Sequence, residues 1–207
     1  MAKVRVRTDV TTDLERPLSV KFQRFARSLE RSLFEAADAG EVEWLKYAIE
    51  SGVDVDERND DGLTALILAC EKGHFGCARL LVEIGHADVE KSTRFGETPL
   101  FVACRDGHDS IARLLIEYRA DVDRETADDG TTPLSVACLN GHVRCAEILI
   151  NGGADIYKAT DDGETPLSAA CLSGHIDCIC LLLEKAKTTN SSTSTKRVRF
   201  AKGVRFF

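Results

Sequence analysis

Cysteine and histidine recur together along this chain at a spacing that suits metal or redox chemistry. The stretch CEKGHFGC, residues 70–77, places Cys70 and Cys77 on either side of His74. Thiolates and imidazoles are ligands that zinc prefers, and two neighbouring thiols can form a redox pair. Either chemistry requires the side chains to converge on one point in space. The interpretation therefore depends on the elements that carry them.

The string recurs because the chain is built from repeats. Aligned on threonines at 64, 98, 132 and 165, the sequence reads TALILACEKGH, TPLFVACRDGH, TPLSVACLNGH and TPLSAACLSGH. The spacings of 34, 34 and 33 residues, with one inserted residue in each of the longer two, indicate a period of 33. A degenerate copy, SLFEAADAGEVEWLKYAIESGVDV, precedes them at residues 32–55. The sequence therefore predicts five structural units.

Each unit carries the signals of two helices. A pair such as Thr98-Pro99 starts a helix, since the hydroxyl caps free amides and proline suits the first helical position. Gly107 and its counterparts then end that helix, because glycine readily takes a positive φ. A second, antiparallel helix follows, and an extended hairpin leads to the next unit. No unit can bury its apolar face alone, so the units must stack into a solenoid.

The repeated strings D-G-x-T-P-L, A-A/C-x-x-G-H and G-A-D-V resemble ankyrin repeats over residues 29–187. The resemblance implies an all-α solenoid of about five stacked helix-turn-helix units joined by β-hairpin loops. We place the units at 29–58, 59–92, 93–126, 127–159 and 160–187. A basic flank, 1–28, precedes them, and a Ser/Thr-rich linker with a basic-aromatic tail, 188–207, follows.

The chain departs from the family pattern at two places. The histidine expected after TPL is replaced by Ile67, Phe101, Ser135 and Ser168, so we expect a helix-start hydrogen bond to be missing. Tyr118-Arg119 stands where a turn glycine is expected. We expect the first departure to lower stability without changing the fold.

The repeat alignment assigns the cysteines to packing. Cysteine recurs at one position of the first helix of the unit and at one position of the second helix. At the position on the second helix, two units have Ile111 and Trp44 instead of cysteine. Such a position lies in a core, where cysteine packs as a small hydrophobe, so the sequence predicts no metal site. The turn histidines, by the resemblance, serve packing and hydrogen bonding. Cys180 aligns with charged residues of other units, so we expect an exposed thiol there. The predicted core cysteines are Cys70, Cys104, Cys138, Cys171, Cys77, Cys145 and Cys178.

Composition and charge restrict the class of protein. The 207 residues are 43% hydrophobic and contain neither an apolar run long enough to span a membrane nor a secretory leader. We therefore expect a cytoplasmic or nuclear protein whose eight cysteines are thiols. Residues 29–184 contain thirteen Lys or Arg and thirty-one Asp or Glu. Residues 1–28 contain seven basic and three acidic residues, and residues 185–207 contain seven basic residues and no acidic ones. An acidic body lies between two basic flanks.

The chain shows no sequence signature of an enzyme. It contains no Gly-rich phosphate loop, nucleophile elbow or His-Glu-x-x-His motif. Its recurring pairs Asp60-Asp61, Asp128-Asp129 and Asp161-Asp162 fall at hairpin tips, where aspartate favours solvent-facing turns. Each tip offers two carboxylates, whereas calcium takes six or more oxygens. We expect a non-catalytic protein without a metal, a cofactor or a small-molecule substrate.

Binding is the function that remains, and the resemblance implies where it occurs. Ankyrin repeats use the hairpin tips and the ends of the inner helices as a concave surface. Phe95, Leu139 and Leu172 are the expected apolar anchors. We expect the acidic body to attract a basic protein partner or the chain's own flanks and to disfavour nucleic acid on this surface. We expect the protein to be a monomer. The predicted partner-binding residues are Leu63, Glu71, Lys72, Arg94, Phe95, Glu97, Arg105, Asp106, Leu139, Asn140, Glu164, Leu172 and Ser173, with the Asp pairs.

Two tail segments resemble the docking motif of type-1 protein phosphatase, which is a basic residue followed by Val or Ile, any residue, and Phe or Trp. Arg197-Val198-Arg199-Phe200 fits the pattern, and Val204-Arg205-Phe206 follows Lys202-Gly203. Such a peptide adds to a sheet edge and projects Val and Phe into pockets. Val20-Lys21-Phe22 is a third candidate, placed before the array as in myosin-phosphatase targeting subunits, although Ser19 replaces the basic residue.

The sequence thus predicts an adaptor that binds a partner on its concave surface and docks type-1 phosphatase as a regulatory or targeting subunit. Three alternatives for the tail stay open. It could bind nucleic acid or nuclear import factors, lie on an anionic membrane with Phe206-Phe207 inserted, or have no function.

Overall fold

The computed structural model of the protein describes residues 33–192, with side chains up to residue 188. These residues form ten helices, which pair in chain order into units 1 to 5. Residues 33–39 are α1, and the others are α2 (Val42–Glu50), α3 (Ala65–Glu71), α4 (Phe75–Glu83), α5 (Pro99–Arg105), α6 (Asp109–Glu117), α7 (Pro133–Leu139), α8 (Val143–Asn151), α9 (Pro166–Ser173) and α10 (Ile176–Ser192).

The units stack in chain order around a continuous core. The inner helices α3, α5, α7 and α9 each contact the next, and so do the outer helices α2, α4, α6, α8 and α10. Leu66, Leu100 and Leu134 of the inner row and Leu81 and Leu115 of the outer row are almost fully buried between them. The predicted all-α repeat solenoid is confirmed.

The connections between units are hairpin-shaped loops. A backbone hydrogen bond closes each turn, as from Thr93 N to Glu97 O at 2.9 Å. Neighbouring tips are joined as well, since Ala127 N donates to Phe95 O at 2.9 Å. No residue between 33 and 192 is in a β-strand, because so few cross-loop bonds do not form a ladder. The expected β-hairpins are therefore present as tight loops rather than as paired strands.

Threonine caps the inner helices, as the Thr-Pro pairs predict. Thr98 Oγ1 accepts a hydrogen bond from Phe101 N at 3.2 Å. The helix-start hydrogen bond that we expected to be missing is formed in α9, where Ser168 Oγ accepts from Thr165 N at 2.8 Å. That expectation is wrong at this position because a serine hydroxyl is long enough to reach the cap amide.

The turn between the two helices of a unit fits the next unit closely. Gly73 has a φ of 74°, and a Cβ there would lie 2.5 Å from Cε1 of His108 in the following unit. His108 Nε2 lies 3.2 Å from Glu71 O, and the same contact recurs one unit earlier at 3.0 Å. Glycine is required both for its positive φ and for the space that the ring occupies. After α6, Arg119 takes a φ of 68° where a glycine was expected.

Six of the seven predicted core cysteines are buried. Two residues that we expected in the core, one in each end unit, are exposed. Cys171 is exposed, because its repeat position faces a following unit and none follows unit 5 within the described residues. Trp44 is 58% exposed rather than in the core. Its equivalent Cys77 faces the preceding unit, with Sγ 3.9 Å from Ala36 O, and no unit precedes unit 1 in the described part. Cys180 is exposed, as predicted.

Candidate functional site

The cysteines that meet belong to neighbouring units, not to one CEKGHFGC string. Cys138 of α7 lies beside Cys178 of α10, and Cys104 of α5 beside Cys145 of α8. Burial raises the pKa of Cys138 to about 12, so this thiol is protonated at neutral pH and is a poor ligand or nucleophile. Residues 33–192 contain no group of three or more His, Cys, Asp or Glu placed to hold a metal ion.

The candidate site lies instead on the face made by the hairpin tips and the C-terminal ends of the inner helices, which we call the concave face. Its chemistry changes along the stack. One row of equivalent residues is acidic in units 1 and 2, basic in unit 3 and apolar in units 4 and 5. This row consists of Asp38, Glu71, Arg105, Leu139 and Leu172.

In units 1 and 2, the charges at the C-terminal ends of the inner helices are paired with one another. Lys72 Nζ lies 3.4 Å from Glu71 Oε1 and 3.7 Å from Asp38 Oδ1. These carboxylates, Glu71 most of all, raise the pKa of Lys72. Asp38 was missed by the sequence reasoning, although it stands one 33-residue period before Glu71.

Unit 3 continues this pairing through one arginine. Arg105 contacts Glu97 Oε1 and Asp106 Oδ2, each at 2.9 Å, and the hydrogen bonds to Asp106 make the largest contribution to raising its pKa. The backbone oxygen of Arg105 also accepts a hydrogen bond from Asn140 Nδ2 at 3.0 Å. Much of the charge here is satisfied internally, which leaves less of it for a partner.

A shallow groove of about 410 Å³ lies where unit 3 meets unit 4. Phe95 and Leu139 line it and are 46% and 43% exposed, whereas Phe101 and Val136 are buried beneath them. The groove thus brings together two of the three predicted anchors. Its other lining residues are Glu97, Thr126, Asp128, Asp129 and Thr131.

The rim of the groove carries negative charge at Asp128 and Asp129. Asp129 Oδ1 accepts hydrogen bonds from Thr126 Oγ1 at 2.7 Å and from Thr131 N at 3.0 Å. These bonds, that of Thr126 first, lower the pKa of Asp129 and so favour its ionised form. No salt bridge to Asp128 or Asp129 is formed among the described residues.

Several predicted binding residues lie outside this groove. Leu172 is 79% exposed at the end of the stack, and Ser173 is exposed next to it. Leu63 is half-buried, and the backbone oxygen of Glu164 closes the last hairpin. The Arg94 guanidinium lies 5.0 Å from the centre of the Phe95 ring.

The sequence reasoning missed the two threonines that orient Asp129 and the buried floor of the groove. The hairpin sequence TADDGTT, residues 126–132, is a usable signal for the first, because threonines on both sides of an Asp pair favour side-chain turns. The predicted docking residues Val20, Phe22, Arg197, Val198, Phe200, Val204 and Phe206 lie outside the described residues.

No helix between residues 33 and 192 is both long and apolar enough to cross a bilayer.

Comparison with known proteins agrees with the fold. A family model described as ankyrin repeats (3 copies) matches residues 33–126 and 120–193. The chain is similar to an ankyrin repeat domain-containing protein, oryK, of Aspergillus oryzae, at 40% identity over 53 residues, which are 26% of this chain and 8% of that protein.

It is also similar to protein phosphatase 1 regulatory subunit 27 of Mus musculus and of Homo sapiens. The identities are 43% and 47% over 54 residues, which are 26% of this chain and 35% of each relative. The chain therefore spans only about a third or less of the length of these curated relatives.

Proposed function

We propose that this chain, which belongs to the ankyrin-repeat family and is therefore a protein-interaction module, acts as a non-catalytic adaptor. Its groove binds a basic segment of a partner protein that carries a bulky apolar side chain. Its Val-x-Phe motifs dock type-1 protein phosphatase. In this role the chain is a regulatory or targeting subunit that brings the phosphatase and the partner together.

The partner site rests on one observation: an apolar surface lies beside two carboxylates that form no salt bridge with any described residue. A side chain entering between Phe95 and Leu139 removes apolar area from water, which is worth about 25 cal/mol per Å². Asp128 and Asp129 attract basic residues and orient them, as rim charges do in other complexes. An apolar centre within a polar rim is the usual anatomy of an interface hot spot.

Two observations support phosphatase docking. Two relatives are named as regulatory subunits of protein phosphatase 1, and the tail contains two Val-x-Phe motifs. Residues two apart on an extended strand project to the same side, so Val198 and Phe200 would enter neighbouring pockets. The strand backbone would meanwhile bond to a sheet edge of the phosphatase.

The test is a pull-down of the purified phosphatase catalytic subunit by the full chain. The variants are Val198→Ala/Phe200→Ala, Val204→Ala/Phe206→Ala and Val20→Ala/Phe22→Ala, each of which removes one motif. We expect wild type to retain the phosphatase and at least one variant to lose about tenfold or more in affinity, because buried anchors carry most interface energy. Thr193→Ala/Thr195→Ala changes the linker alone and should bind like wild type.

Equal recovery by wild type and all three variants, or no recovery by wild type, would remove the phosphatase role. A salt titration tests whether the tail instead binds nucleic acid or anionic membranes. Binding of the tail to nucleic acid or to anionic vesicles that falls steeply with salt, with no special loss from Phe200→Ala, would assign the tail to those ligands.

A further inference from the structure

The C-terminal segment of the chain has the chemistry that the groove between units 3 and 4 accepts. Residues 193–207 contain five Lys or Arg, three Phe and no Asp or Glu. The groove presents Phe95 and Leu139 beside the carboxylates of Asp128 and Asp129. We propose that the groove binds this segment, so that the chain's own tail is an occupant of the partner site. The inference rests on the proposed role of the groove as a binding surface.

Charge favours this occupant. Asp129 accepts hydrogen bonds from Thr126 and Thr131 that favour its ionised form, and no described side chain forms a salt bridge with it. Arg105 is engaged by Glu97 and Asp106. Arg94, the other predicted basic residue of this face in unit 3, lies 5.0 Å from the centre of the Phe95 ring. Among the described residues, neither arginine forms a salt bridge with Asp128 or Asp129. An arginine of the tail would form the missing charge-assisted hydrogen bonds.

The side-chain pattern of the tail also suits the groove. In an extended peptide Val204 and Phe206 project to one side and Arg205 to the other. A groove open to solvent accepts the Val and Phe side between Phe95 and Leu139 and leaves the basic side chains free to reach its rim.

The chain is long enough to reach the groove. Helix α8 ends at Asn151, and the equivalent residue of α10 is Glu184. Because α10 continues past Glu184 to Ser192, the chain leaves the stack on the side where earlier units form their hairpins. Inner helices α9 and α7 are neighbours, and packed helices lie about 8–10 Å apart. The fourteen residues from 193 to 206 span about 46 Å when extended, at about 3.3 Å each.

Docking of the tail would couple the two parts of the proposed function. The groove and the phosphatase would use the same Val204 and Phe206 side chains, so this motif cannot serve both at once. A basic partner that occupies the groove would release the motif for the phosphatase.

Photo-crosslinking in the full chain tests the proposal. The variant Phe206→p-benzoylphenylalanine keeps an aromatic side chain and attaches covalently to whatever lies next to it on irradiation. We expect crosslinks within the monomer, mapped by mass spectrometry to peptides that contain Phe95 or Leu139. Adding Phe95→Ala/Leu139→Ala should lower the yield about fivefold or more, and adding Asp128→Asn should lower it about twofold, whereas Leu172→Ala should not change it.

Three results would overturn the proposal: no crosslink in the chain, crosslinks confined to the end of unit 5 around Leu172, or a yield that rises with protein concentration. The last would mean that the segment binds a second copy of the chain. The outcome is independent of the pull-down, because the tail can dock in the groove whether or not the phosphatase binds. A crosslink with no phosphatase recovery would keep this inference and remove the phosphatase role.

Discussion

Units 4 and 5 have nearly the same inner-helix sequence, TPLSVACLNGH and TPLSAACLSGH, but their side chains meet different surroundings. The turn glycines Gly141 and Gly174 have φ values of 74° and 75°. Cys138 is nevertheless buried, whereas its equivalent Cys171 is exposed. The repeat sequence sets the local conformation, and the neighbouring unit decides what that conformation buries.

The same comparison separates two leucines that the sequence treats alike. Leu139 lies in the groove with Phe95, whereas Leu172 is 79% exposed at the end of the stack. Phe95 of unit 3 lies beside Leu139 of unit 4. The residue of unit 4 that corresponds to Phe95 is Asp129, so the neighbour of Leu172 at this repeat position is acidic rather than aromatic. A binding surface arises where the variable residues of two adjacent units match, not wherever one unit exposes an apolar residue.

The largest expected difference between the two units is in thiol reactivity. We expect a maleimide to label Cys171 and Cys180 in the native protein at least about a hundredfold faster than Cys138, which reacts only after local unfolding. Because burial raises the pKa of Cys138 to about 12, raising the pH from 7 to 9 should not populate its thiolate in the folded state. Peptide mass spectrometry measures both rates, and equally fast labelling of Cys138 and Cys171 would contradict the stacking.

A smaller difference is expected for the turn glycines. Gly174→Ala places a Cβ at positive φ in open space, which costs about 1 kcal/mol. Gly141→Ala has the same strain, and its Cβ would also lie 2.5 Å from Nδ1 of His175, so we expect a loss of about 2–4 kcal/mol. Urea unfolding followed by circular dichroism measures the two free energies. Equal losses would mean that the histidine ring moves away without penalty.

The smallest difference concerns the serines that follow the cap. Ser168→Ala removes an acceptor for Thr165 N and should destabilise unit 5 by about 0.5–1 kcal/mol. Ser135 Oγ contacts Thr132 Oγ1 at 3.2 Å and bonds to no backbone amide, so Ser135→Ala should cost less. Thermal unfolding of the two variants ranks them. A larger loss for Ser135→Ala would show that its burial matters more than the cap in unit 5.

The sequence was sufficient to predict features that depend on one unit and its nearest neighbours. The period, the Thr98 cap, the turn glycines and the burial of Cys138 all follow from residues that recur in register. Cys171 and Trp44 were placed wrongly, because an alignment of repeats does not mark which unit lacks a neighbour. The groove itself was not predictable, since its walls come from non-equivalent residues of two units and its charge depends on which carboxylates pair with Arg105.

The most direct test of the account is the affinity of the groove for a basic-aromatic peptide. The probe is a fluorescein-labelled peptide of residues 196–207, mixed with increasing amounts of the full chain and followed by anisotropy. In this assay every protein also carries Val198→Ala/Phe200→Ala and Val204→Ala/Phe206→Ala, so that its own tail does not compete with the peptide. The account predicts that Phe95→Ala/Leu139→Ala weakens binding about tenfold or more, whereas Leu172→Ala changes it by less than about twofold. Equal affinities for all three proteins, or an equal loss from Leu172→Ala, would contradict the assignment of binding to the groove between units 3 and 4.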